Sequence, residues 1–192
     1  MSGGNVMQLK ETKHVVLTEI AEAINAISEE DIQLLIKQIL RAKKIFLVGV
    51  GRVELALESW CKRFSHLGYD ICMVGDLTEP CFGEGDLLIV GSGSGNSVIP
   101  VAIAKKAKEL KGCVFHIGSN ADGKIAKYVD GFLKIPVTTK LGNNDKVIKS
   151  AQLMTSLFEQ SLYLLGDIIA LYIATTAKED ISEYWQYHAT LE

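Results

Sequence analysis

Five short apolar runs, most of them separated by stretches of helical length, constrain this chain more than any other feature. They are Ile45–Val50, Asp70–Val74, Leu87–Val90, Cys113–Ile117 and Phe132–Ile135, with helical patterns near Val53–His66, Ser97–Leu110 and Asp122–Val129. Runs with no polar alternation are buried on both faces, and strands joined by crossover helices lie parallel. The predicted fold class is therefore α/β, a three-layer α/β/α sandwich around a five-stranded parallel sheet. Helices extend it at both ends. Apolar residues recur at helical spacing from Val6 to about Ile27, and Ser28-Glu-Glu-Asp31 opens a second amphipathic helix over Asp31–Ala42. Beyond the polar segment Lys140–Lys149, a long helix is expected from about Ser150 to Ala177, with a short one near Ile181–Tyr187. The expected organisation is one domain over residues 1–192, with N-terminal helices in 1–43, the parallel core in 44–138 and C-terminal helices in 150–192.

With 48% hydrophobic and 22% charged residues, the 192-residue chain has enough apolar surface to build a core and is not a disordered composition. Its formal net charge of −3, with Lys and Arg scattered, leaves no electrostatic footprint for nucleic acid. Cys61, Cys72, Cys81 and Cys113 form no CxxC pair and read as reduced core thiols of a cytoplasmic protein. No signal peptide follows Met1, and the apolar stretch Ser161–Thr175, interrupted by Gly166 and Asp167, is short for a bilayer span, so no membrane partner is expected. The long apolar terminal helices exceed what one small sheet can cover, which points to a homo-oligomer.

In parallel sheets, ligands bind beyond the carboxyl ends of the strands. That rule brings together Gly49-Val-Gly51-Arg52, Gly75-Asp-Leu-Thr78-Glu-Pro80 and Gly91-Ser92-Gly93-Ser94-Gly95-Asn96-Ser97. The third loop is the richest. Its glycines allow close backbone approach, its serines offer hydroxyls, and a helix begins at Ser97, whose free N–H groups and dipole favour an anion. No Lys or Asp sits in it, so it fits a sugar phosphate held by neutral hydrogen bonds; a ligand-free Ser/Gly turn is the alternative. Gly51, Arg52, Thr78, Ser92, Gly93, Ser94, Asn96 and Ser97 are the candidate ligand contacts. Gly49-x-Gly51 lacks the third glycine of a dinucleotide fingerprint, because Glu54 occupies it, and no Gly-Lys-Ser/Thr follows any glycine loop. No nucleotide cofactor is expected, and no His or Cys pair has metal-ligand spacing.

Arg52 either reaches an anion or forms an ion pair. Glu159 sits among Leu157, Phe158, Leu162, Leu164 and Leu165, and lies either on one exposed stripe or inside as a proton-transfer base. On the residues alone the exposed stripe is favoured, since most helix glutamates are solvated. His66 is placed to cap its helix, His116 reads as a core histidine, and His188 lies in the tail.

The chain resembles the sugar isomerase (SIS) domain family, whose sheet is flavodoxin-like, and within it the 6-phospho-3-hexuloisomerases. The likeness rests on Gly49-Val-Gly-Arg52, Phe64-Ser-His-Leu-Gly68, Gly75-Asp-Leu-Thr-Glu-Pro80, Ser92-Gly-Ser-Gly95, Ser150-Ala-Gln-Leu-Met-Thr-Ser-Leu-Phe-Glu-Gln160 and the ending His188-Ala-Thr-Leu-Glu192. It implies an aldose–ketose type isomerase acting on a small sugar phosphate, without cofactor or metal. Ser92, Ser94 and Ser97 would hold the phosphate, and Glu159 would be the base. His188 would be a second catalytic group, at a neighbouring subunit's site. A tetramer is favoured by the likeness, with a dimer as the alternative. Two departures stand out: Val53 and Glu54 replace the family's serine and glycine, and Leu153 and Thr155 stand where proline and glycine are expected. A phosphosugar-binding sensor without catalysis, or an isomerase for a different sugar phosphate, fits the same loops.

Overall fold

The apolar runs form strands β1 (Ile45–Val48), β2 (Ile71–Met73), β3 (Leu87–Gly91), β4 (Cys113–Gly118) and β5 (Gly131–Lys134). All pair in parallel, in the order β2-β1-β3-β4-β5. A computed structural model describes residues 7–139, 147–177 and 181–191; Val6, residues 140–146 of the polar segment and Glu192 lie outside the described residues. The helices are α1 (Leu9–Asn25), α2 (Glu29–Arg41), α3 (Arg52–Ser65), α4 (Val98–Glu109) and α5 (Ser156–Thr176). Ser28 starts α2 as foreseen, its hydroxyl accepting the Asp31 N–H at 3.3 Å.

Alternate residues of each strand serve opposite faces, as the period of two requires. Ile45, Leu47, Leu87, Ile89, Phe115 and Ile117 pack with α2, α3 and α5, while Phe46, Val48, Leu88, Val90 and Val114 lie under α4 and a 3-10 turn over Lys124–Tyr128. The sheet thus has a helical layer on each side. The chain goes from β1 out to the edge strand β2, then returns across β1 to β3. The strand order reverses there, and the crevice of such a sheet opens at that point.

Four expectations are corrected. The segment Asp122–Val129 is no full helix but the 3-10 turn, because Gly123 lies so close to Gly95 that a Cβ would stand 2.7 Å from its Cα. The long C-terminal helix starts at Ser156 rather than Ser150; Met154 adopts a left-handed φ of 53° and Ser150–Gln152 are bonded elsewhere. At 21 residues, α5 is long and apolar enough to cross a membrane by length and composition, contrary to the argument from shortness, but 56% of its most apolar 18-residue window is buried inside the protein. Of the cysteines, Cys81 is exposed rather than in the core; all four are free thiols, and burial pushes Cys72 up to about 12.

α3 and α5 approach closely at one point. A Cβ on Gly166 would meet Trp60 Nε1 at 2.3 Å, and that Nε1 donates to the Leu162 carbonyl at 2.8 Å. The tail adds a 3-10 segment over Ile181–Tyr187.

Candidate active site

The β1/β3 crevice is a cavity of about 440 Å³ lined by Gly51, Arg52, Val53, Ser92, Gly93, Ser94, Ser97, Thr139, Leu153, Met154, Thr155, Phe158 and Glu159, among others. Six of the ten sequence-derived site residues therefore meet there with Glu159: Gly51 and Arg52 from the β1–α3 turn, and Ser92, Gly93, Ser94 and Ser97 from the β3–α4 loop. Gly51 carries a φ of 62° as N-cap of α3, a conformation that favours glycine, and this aims Arg52 across the crevice.

Ser97 is the N-cap of α4 and lines the cavity, its hydroxyl makes no capping bond, and the 12-residue helix has no acid in its first turn. The Ser94 hydroxyl oxygen accepts the Asn96 N–H at 3.2 Å, which leaves its proton free to donate to a ligand. Asn96 itself does not line the cavity. It donates to the Ser94 carbonyl at 2.9 Å and accepts the Lys124 N–H at 3.1 Å, bracing the loop from behind. From the opposite side His116 Nε2 donates to the Ser92 carbonyl at 2.8 Å, which assigns the proton of a neutral ring to Nε2.

Burial pushes His116 down to about 4 from 6.5, its bond to Ser92 opposing the shift. As pH falls below 6.5 the unfolded chain takes up a proton that the folded ring refuses, so stability is lost progressively between about 6.5 and about 4. The full loss is roughly 3 kcal/mol at 1.36 kcal/mol per unit. Urea unfolding across this window should show the slope, and a folded His116→Gln variant should flatten it.

Glu159 is only 9% exposed, so the stripe reading is corrected. The solvent-facing stripe of α5 is instead apolar, carrying Leu164, Ile168, Leu171 and Tyr172. Arg52 Nε donates to Glu159 Oε2 and Thr155 Oγ1 donates to Oε1 at 2.8 Å, fixing both carboxylate oxygens. Arg52, with 63% of its side chain exposed, pairs with this buried acid rather than with a surface one. Among the lining residues Arg52 is the cation and Glu159 the anion, and the rest of the cup is neutral. Val53 Cγ1 would stand 2.7 Å from a Cβ on Gly91, so the replaced serine now fills the α3–β3 contact; Glu54 is exposed and does not line the cavity.

Two further candidates lie elsewhere. Thr78 is exposed beyond β2, at the sheet edge, one strand away from the reversal that makes the crevice. His188 stacks on His66 at 4.9 Å between ring centres and lines a separate cleft with Arg63, Asp167 and Trp185. That cleft runs beside Ala170, about 16 Å along α5 from Glu159 at 1.5 Å per residue. His66 ends α3 as its C-cap. Thr155, Thr139 and Phe158 are site residues that the sequence reading missed; only Thr155, four residues before Glu159 and so on the same helical side, left a signal. Among the described residues no group of three His, Cys, Asp or Glu could hold a metal ion.

The chain shares the fold of solved sugar isomerase (SIS) domain proteins, here with a serine-glycine cup at the β1/β3 reversal and a buried carboxylate across from it. A solved Methanococcus jannaschii protein, described as a hypothetical protein whose structure infers a 3-hexulose-6-phosphate isomerase function, superposes with a TM-score of 0.78 at 28% identity, covering 95% of this chain and 99% of that one. A Bacillus subtilis 3-hexulose-6-phosphate isomerase is 35% identical over 96% of this chain and 100% of its own length. Another from Mycobacterium gastri is 30% identical over 93% of this chain and 88% of its own. No family model matches the chain. The chain belongs to the 3-hexulose-6-phosphate isomerase family, and it is an enzyme, a phosphosugar isomerase.

Proposed function

We propose that this enzyme interconverts D-arabino-hex-3-ulose 6-phosphate and D-fructose 6-phosphate, with Glu159 as the base. The observation that carries this reading is that the neutral cup and the buried Glu159 open into one cavity. The phosphate sits at the α4 N-terminus on Ser92, Ser94 and Ser97, and binding there positions the other end of the sugar against the acid. Glu159 takes the proton from C2, the electron pair forms the C2–C3 double bond of a cis-enediol, and the C3 oxygen gains a proton. As the C2 hydroxyl gives up its proton, matching the one gained by the C3 oxygen, the carbonyl forms at C2 and Glu159 returns its proton to C3. One carboxylate serves both carbons because they present the same face. No electrons leave the sugar.

Arg52 gates this chemistry. Its guanidinium donates to Glu159 and is the exposed member of the pair, so an arriving phosphate dianion or enediol oxygen draws it off and frees Oε2. Supplying the hexulose phosphate and following fructose 6-phosphate in a coupled assay tests the reading; steady product is expected. No product, together with a raised Tm on adding the sugar phosphate, would instead make the chain a sensor.

The assembly is a homo-oligomer in the cytoplasm. The support is the apolar outer stripe of α5, continued by Leu17 of α1 and Leu55 of α3, each more than half exposed in the single chain. His188 does not reach Glu159 within its own chain, so its part in moving protons between the sugar oxygens belongs to a neighbour's cavity. Sedimentation at micromolar concentration should give a multiple of 21.0 kDa, and a monomer would remove His188 from the reaction.

A further inference from the structure

The stretch from residue 147 to α5 forms part of the cavity wall, yet it belongs to no named helix or strand. Its start is stitched to the stretch after β5: the Ile148 N–H donates to the Pro136 carbonyl at 2.8 Å, and the Thr138 N–H donates back to Ile148 at 3.1 Å. Thr139, next along that stretch, lines the cavity. Its middle is held from a distant part of the chain. Glu19, on α1, accepts the Ser150 hydroxyl at 2.6 Å, the Ala151 N–H at 2.7 Å and the Gln152 side-chain amide at 3.1 Å. The Gln152 N–H closes the ring onto the Ser150 oxygen at 3.0 Å. Burial works against the charge of Glu19, but these three hydrogen bonds outweigh it and hold its carboxyl below the usual range.

Leu153, Met154 and Thr155 come immediately after this knot and all line the cavity. Met154 is in the left-handed region and almost fully exposed, so local preference does not hold this turn in shape. Thr155 then donates to Glu159.

We infer that Glu19 is a positioning residue of the active site: by clamping Ser150–Gln152 to α1 it sets where Thr155 stands and so fixes the Glu159 carboxylate for proton transfer. A carboxylate is suited to this because its two oxygens accept three convergent donors at once, each bond to a charged acceptor being stronger than a neutral one. The inference rests on Glu159 being the base. It concerns orientation and leaves the serine cup untouched, which predicts an effect on kcat more than on KM.

Glu19→Ala, Glu19→Gln and the reference Glu22→Ala, an exposed glutamate on the same helix, are compared in two measurements. Hydrogen exchange over residues 147–158 should quicken in Glu19→Ala, less in Glu19→Gln, and stay at the parent rate in Glu22→Ala. Turnover of the hexulose phosphate should fall at least about tenfold in kcat for Glu19→Ala with KM within about threefold, the size expected when a catalytic group is misplaced by a fraction of an ångström. Partial recovery is expected in Glu19→Gln, which keeps the shape and one acceptor oxygen. Unchanged exchange in Glu19→Ala would overturn the clamp, and quickened exchange with kcat within twofold of the parent would overturn its role in positioning. Should Glu19→Ala not fold, Glu19→Gln decides on the same two readouts. The base assignment is separated by Glu159→Gln: full activity there removes the base and leaves exchange to judge the clamp by itself.

Discussion

Glu159→Gln is expected to lower kcat by at least about a thousandfold, within the range set by loss of a general base, while phosphosugar affinity stays within a few-fold of the parent. The amide keeps the shape of the carboxyl and can still accept from Thr155, so the wall of the cavity survives. It cannot take a proton from carbon. It also loses the charge that Arg52 pairs with, leaving the guanidinium free to meet the phosphate. Affinity should therefore hold or rise as turnover collapses, a split that separates a base from a binding residue. Isothermal titration with fructose 6-phosphate beside single-turnover kinetics reads both quantities. Turnover near the parent rate would take the base role away from Glu159.

The second large effect concerns stability. Gly166→Ala should cost about 3 kcal/mol, although alanine is the better helix former by about 1 kcal/mol. The new methyl would lie 2.3 Å from Trp60 Nε1, inside any real contact distance. Trp60 is 1% exposed and stacked on Phe64 with ring centres 5.9 Å apart, so the indole has little room to retreat. Moving it also breaks its bond to the Leu162 carbonyl, and a buried group left without a partner adds about 1–3 kcal/mol. Gly83→Ala is the matched reference, since Gly83 has neither a positive φ nor a neighbour within 4 Å of the added methyl. Urea unfolding should leave Gly83→Ala within about 0.5 kcal/mol of the parent, as for most surface changes. A Gly166→Ala protein of equal stability would mean that α3 and α5 can part without cost.

The strands were readable because each is an unbroken apolar run, and burial on both faces requires that. The cup was readable because Ser-Gly alternation directly after a strand has few other uses. Glu159 was harder. The usual amphipathic rule turns charge outward, but here Leu164, Ile168 and Leu171 face solvent while the acid faces in, and periodicity cannot tell such an inverted helix from an ordinary one. Only the likeness to known relatives turned the reading of Glu159 inward. The side chains of Ser150–Thr155 all tolerate a helix, so the sequence pattern alone extends α5 over them. What prevents it is a contact with Glu19, 131 residues earlier for Ser150, which no local window contains. The rule about strand ends puts Thr78 beside the cup, but that rule holds for the sheet as a whole and says nothing about which strand is at the edge. That depends on the order of pairing, and β2 turned out to be outermost.

α5 has a consequence for how such a protein diversifies. Leu162, Leu165 and Ile169 on that helix are completely enclosed, so the acid cannot shift without disturbing the whole interior. Thr139, Leu153 and Met154, by contrast, line the cavity from connecting segments that the interior does not require. Mutational drift there can reshape which carbohydrate fits, while Glu159 stays where the packing put it. New substrate ranges are therefore cheap to explore in this scaffold, and new reactions are not.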